Sequence, residues 1–181
     1  MQGIVTFLEG QARKSVEAHW ARMVHDLAIP YEFPGAVPHL TFIAGDAVEL
    51  VPCTAAIKKL ASGLPPFEVS THGLGVFGGP TPTPYIGVTR TPELSRFHET
   101  VLAAIAGLVR VPDYHYEPRH WVPHITIARG NNPPERLGEA LAWWSEHHLA
   151  WPFRVSNLAI AWNTADGVHS HARFDLGRPQ S

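Results

Sequence analysis

One nine-residue phrase occurs twice in this chain, and no other feature limits its possible folds as much. Val37-Pro38-His39-Leu40-Thr41-Phe42-Ile43-Ala44-Gly45 returns 85 positions later as Val122-Pro123-His124-Ile125-Thr126-Ile127-Ala128-Arg129-Gly130, with five of nine positions identical. Leu40 exchanges for Ile125 and Phe42 for Ile127, hydrophobic for hydrophobic. Side chains at i and i+2 of a strand project from one face. Each copy is therefore expected to set an imidazole beside a hydroxyl. His39, Thr41, His124 and Thr126 together offer two of each, a set suited to general acid/base work on a small phosphate ester.

One His-x-Thr on a strand would mean little. Threonine favours strands for steric reasons, and an inward histidine is more often a satisfied core residue than a catalyst. Two copies weigh differently, because burying four polar side chains with no task costs stability at each.

The elements around the phrases follow the same order twice. In the first half the pattern predicts a strand at 4–8 and a helix at 11–28 with Val16, Trp20, Met23, Val24 and Leu27 on one face. The first motif strand at 37–44, a helix at 52–61 and a strand at 67–77 come next. Residues 85–89 then open the second half. A helix at 92–108, a polar aromatic loop at 113–120, the second motif strand at 121–128 and a helix from 133–134 to 147 follow. Strands at 153–162 and 168–176 close the chain around Asp166-Gly167. Short connections favour antiparallel pairing. The expected fold is α+β: a bilobal duplicated fold of two mostly antiparallel sheets flanked by helices around a central groove. It is read as one domain over 1–181, with pseudo-repeat halves at about 1–83 and 84–181.

Composition narrows the function. The chain has 181 residues, is 45% hydrophobic and carries a net charge of −2, with 14 basic residues in no long run. That balance argues against a duplex-binding surface. No apolar run approaches the roughly 20 residues of a membrane span. The single cysteine, Cys53, forms no internal disulfide. With the lack of signal-peptide features, this leads to the expectation of a cytoplasmic protein. A monomer is expected.

The paired His-x-Thr-x motif, His39-Leu40-Thr41-Phe42 and His124-Ile125-Thr126-Ile127, resembles that of the 2H phosphoesterase superfamily. Within it the chain looks most like the 2′-5′ RNA ligase-like, cyclic phosphodiesterase branch. Pro66-Phe67-Glu68-Val69 leading to Gly73-Leu74-Gly75-Val76-Phe77 is similar to the strand and glycine turn after that family's first motif. Phe153-Arg154-Val155 resembles the start of its closing hairpin. The resemblance implies that the motif strands line the groove and that no metal or other cofactor is required. It also implies that Thr41 and Thr126 bind non-bridging phosphate oxygens while one of His39 and His124 is base and the other acid. The substrate expected is a small cyclic nucleotide or an RNA terminus bearing a 2′,3′-cyclic phosphate. The alternatives are a non-catalytic nucleotide-binding module and an RNA 2′-5′ ligase or transesterase.

Other residues carry paired readings. Tyr114, Tyr116, His120 and Trp121 either form a lid that stacks on a base or pack the end of the groove. Trp121 and Tyr85 are the substrate-binding candidates. Arg129 has the parity opposite to His124 and is expected to face away. His169 and His171 have a metal-compatible spacing but no acidic or cysteine neighbour, so no metal site is assigned. His147-His148 suits a helix C-terminus, Trp143-Trp144 the core and rim of a helix. His98 and His72 have no partner that the sequence reveals.

Overall fold

The computed structural model describes residues 2–29, 36–80, 82–128, 134–164 and 167–177. Nine strands and four helices alternate along these residues. The first part runs β1 (Gln2–Phe7), α1 (Gly10–Leu27), β2 (His39–Val48), α2 (Leu50–Gly63) and β3 (Phe67–Phe77). Then come β4 (Thr83–Val88), α3 (Pro92–Ala104), β5 (Val109–Pro112), a 3₁₀ turn at Tyr114–Tyr116 and β6 (His124–Thr126). The chain closes with α4 (Pro134–Ser145), β7 (Pro152–Val155), β8 (Asn157–Thr164) and β9 (Gly167–Asp175).

Two sheets result, ordered β5-β2-β1-β8-β9 and β6-β4-β3-β7. Every strand pairing described is antiparallel. The two motif strands hold corresponding places: β2 lies beside the opening strand β1, and β6 beside the opening strand β4. Beyond them the halves exchange strands. β3 sits in the sheet of the second motif, while β8 and β9 complete the sheet of the first.

Helix signals act locally as physical chemistry dictates. Thr91 caps α3, its Oγ1 accepting from the Leu94 N–H at 3.1 Å, and Pro92 follows in the first turn. α1 ends at Ala28 in the left-handed region (φ 51°), whose N–H bonds to the Val24 carbonyl. Val16, Trp20 and Met23 are buried on α1 as their spacing implies, whereas Val24 is 43% exposed and lies off the apolar stripe. One continuous apolar cluster runs under both sheets, through Ile4, Ile57, Val69, Ile86, Val101, Ile125 and Leu158. A smaller cluster of Val5, Phe7, Ala159 and Ala161 covers part of the other face of the first sheet.

Three elements differ from the sequence reading. The apolar run expected as one strand at 153–162 is two strands in different sheets, divided at Ser156. The helix expected to 108 ends at Ala104, and a turn containing Gly107 (φ 77°) leads into the unforeseen edge strand β5. The second motif strand is only three residues long, because β6 is an edge that pairs with β4 alone, from Tyr85 to Gly87.

Asn157 marks the point where the chain changes sheets. Fully buried, it accepts from the Phe7 N–H through Oδ1 at 3.0 Å and donates through Nδ2 to the Phe7 carbonyl at 2.9 Å. Its amide thus stands in for a strand neighbour at the end of β1. Asn157→Ala strands both backbone groups of Phe7 and is expected to lower stability by about 2–3 kcal/mol. Urea unfolding checks this, and a loss under about 0.5 kcal/mol would show that water replaces the amide.

Candidate active site

Each motif strand alternates between core and site. His39 and Thr41 are half-buried while Leu40 and Phe42 are fully buried, and His124 and Thr126 repeat the pattern around buried Ile125. Register then fixes the neighbours on each face. Opposite His39 and Thr41 stand Phe7 and Val5, so the small apolar cluster floors the first motif. Opposite His124 and Thr126 stand Gly87 and Tyr85. The β2 and β6 strands themselves lie side by side, although they belong to different sheets.

The two histidines are oriented by one device. His39 Nδ1 lies 2.7 Å from the Val37 carbonyl, and His124 Nδ1 lies 2.7 Å from the Val122 carbonyl. A carbonyl only accepts, so Nδ1 carries the hydrogen in both rings and proton exchange falls to Nε2. Among the described residues neither motif threonine hydroxyl has a hydrogen-bond partner within the protein.

Aromatic rings set the position of each imidazole. Phe7 meets His39 edge-on with centroids 6.2 Å apart. Phe77 meets His124 edge-on at 4.8 Å, and Tyr85 lies 5.3 Å from it while stacking on Phe77 at 4.4 Å. Tyr85 can adopt this place because Gly75 opposite has no side chain; a Cβ there would collide with the tyrosine ring. A cavity of about 210 Å³ opens next to His124, walled by Phe77, Thr83, Tyr116, His120 and Val122.

The site residues expected from sequence therefore divide. His39 and Thr41 share one strand face, His124 and Thr126 another, and Tyr85 is packed beside His124. Trp121 is different. Although its edge borders the cavity, it is 2% exposed, with its indole N–H donated to the Thr41 carbonyl at 3.0 Å and its ring stacked on His98 at 3.8 Å. It packs as a core residue with one edge turned to the cavity. Tyr114 is 59% exposed and Tyr116 half-buried. Arg129 lies outside the described residues. His169 and His171 pack near Trp162, at 6.0 and 6.1 Å. His147 Nδ1 bonds to the Trp143 carbonyl at 2.8 Å.

Two residues near the site escaped the sequence reading. His98, fully buried on α3, donates from Nε2 to the Phe42 carbonyl at 2.9 Å. Arg90 donates to the Trp121 carbonyl at 2.9 Å and to the Pro118 carbonyl. A buried histidine on an amphipathic helix offers no sign of a partner 56 residues away. The Arg90 position directly after β4 gives no signal either.

A family model described as the 2′-5′ RNA ligase superfamily matches residues 12–167. The chain belongs to that superfamily. It is the 2H phosphoesterase group whose doubled motif the sequence resembles. No curated protein matches the chain in sequence. Among solved structures it is similar to TT0787 of Thermus thermophilus, at 21% identity and a TM-score of 0.68, with 97% of each chain covered. It is also similar to E. coli LigT complexed with 3′-AMP, at 15% identity and a TM-score of 0.54, covering 98% of this chain and 99% of that one. Usb1 of Kluyveromyces marxianus with uridine monophosphate is similar at 11% identity and a TM-score of 0.51, covering 93% and 96%. At these identities the likeness is one of fold.

Burial pushes the His98 imidazole down to about 4, and its bond to the Phe42 carbonyl opposes that only in part. The unfolded chain takes up this proton near pH 6.5 and the folded protein only near 4. His98 therefore stabilises the fold fully above pH 6.5, and this contribution is lost as pH falls from 6.5 to 4. Between pH 7 and 5 the difference amounts to about 2 kcal/mol. Urea titrations at the two pH values are expected to show wild type losing that much more stability than His98→Gln. Equal losses would place His98 in contact with water.

Proposed function

We propose that this protein is a metal-independent phosphoesterase that hydrolyses 2′,3′-cyclic phosphates, on a free nucleotide or at an RNA end, by two-histidine acid/base catalysis. The observation that carries the reading is the shared orientation of His39 and His124. Both rings have Nδ1 tied to the carbonyl two residues back, and both direct their chemistry through Nε2. What the two motif histidines share is a bond to the carbonyl two residues back, whereas His19 and His147 use the helical carbonyl four back.

The reaction follows from these parts. Nε2 of one histidine takes a proton from water as the water oxygen attacks phosphorus in line. The bond from phosphorus to one ribose oxygen breaks, and Nε2–H of the other histidine protonates that oxygen. Thr41 and Thr126 donate hydroxyl hydrogens to the non-bridging oxygens, where charge accumulates. The cavity beside His124 takes the nucleoside, with Phe77 and Tyr116 among its walls and Tyr85 stacked behind Phe77. Opening a 2′,3′-cyclic AMP at the 2′ oxygen leaves 3′-AMP, the ligand of the similar LigT structure.

The test is hydrolysis of 2′,3′-cyclic nucleotides by wild type, His39→Ala and His124→Ala. Each variant is expected to lose on the order of 10²–10⁴-fold in kcat, and the double variant little more than either single one. Full activity in both single variants ends the reading. The pH dependence of kcat/KM is expected to be bell-shaped, since one imidazole must be neutral and the other charged. Activity is expected to survive a strong chelator, and its loss would point to metal-assisted hydrolysis. Calorimetric binding of a nucleoside monophosphate without turnover of any cyclic phosphate would favour the nucleotide-binding alternative.

A further inference from the structure

We infer that Trp121, clamped by His98 and Arg90, is a positioning residue that fixes the spacing of the two motif strands and so the relation of His39 to His124. The inference rests on the two-histidine reading and names the part of the chain that aligns the pair.

Trp121 touches both halves of the site at once. Along the chain it precedes His124 by three residues, with the stiff Pro123 between them. Through space its indole N–H holds the carbonyl of Thr41, two residues from His39. His98 holds the adjacent carbonyl, that of Phe42, and stacks on the indole. Two successive carbonyls can be met from the second half because β2 is irregular here: Ile4 faces Ile43 but Val5 faces Thr41, so Phe42 is an extra residue. Arg90 completes the clamp. It donates to the Trp121 and Pro118 carbonyls, and its guanidinium lies 5.7 Å from the centre of the indole ring.

A merely packed tryptophan would contribute to stability and leave the chemistry of the folded fraction alone. A positioning tryptophan acts on turnover, because acid and base must both reach one phosphate, and a misplacement of about 1 Å can cost up to 10²-fold. Trp121→Phe keeps an aromatic ring, removes the N–H donor and leaves a smaller side chain in the core. His98→Phe keeps the stack and removes the donor to Phe42. Arg90→Gln alters an exposed side chain, so folding is preserved even if a core variant fails.

All three variants are assayed on 2′,3′-cyclic AMP well below their melting temperatures. The expected result is a fall in kcat of about 10-fold or more, with KM within about threefold of wild type. If wild type turns over and every folded variant keeps kcat within about twofold, the inference is overturned and the proposed function stands. If wild type turns over no cyclic phosphate, the function falls first, and the clamp is judged by histidine NMR during titration with inorganic phosphate. Displaced imidazole resonances of both His39 and His124 in Trp121→Phe and Arg90→Gln would support it. Resonances unmoved from wild type would overturn it.

Discussion

The outer edge of β2 is where the two halves of this protein must meet. β5 accompanies β2 only from Gly45 to Val48, and the Asp113 N–H takes the Ala44 carbonyl just beyond. Further along, the carbonyls of Phe42 and Thr41 lie inside the molecule, and no strand of this sheet hydrogen-bonds to β2 on that stretch of the edge. Leaving such groups unmet costs about 1–3 kcal/mol each. His98 and Trp121 meet them, and both come from the second half of the chain. Satisfying the first motif strand thus draws in the segment that carries the second one.

The repeated phrase also orients its own histidines. In Val-Pro-His the valine carbonyl receives Nδ1, and the proline between them has a fixed φ and no N–H to compete. The ring is held by a bond within three residues, whatever sheet the strand joins. This gives a local reason for the shared proline as well as the shared histidine.

Much of this was legible in advance. The period-two pattern of the phrases indicated the face on which His39, Thr41, His124 and Thr126 lie, and β3 spans Phe67–Phe77 as its apolar and turn residues imply. The helix expected from 92 also starts there, at Pro92. Features decided by distant partners were not legible. Beyond Arg154, the run from 153 to 162 is broken only by the polar pair Ser156-Asn157, too short an interruption to read as a change of sheet. β5 is four residues of edge strand buried only at Val109, too short for its pattern to stand out. Trp121 resembles a surface aromatic in a polar loop, and only the approach of β2 and α3 turns it inward.

The exchange of strands between the two sheets has a consequence for severed chains. A break between β3 and β4 would give an amino-terminal fragment lacking β5, β8 and β9, and a carboxy-terminal fragment lacking β3. Neither piece could close its own sheet. Each would carry the strand that the other lacks, so the fragments would be cohesive when mixed and frayed when alone.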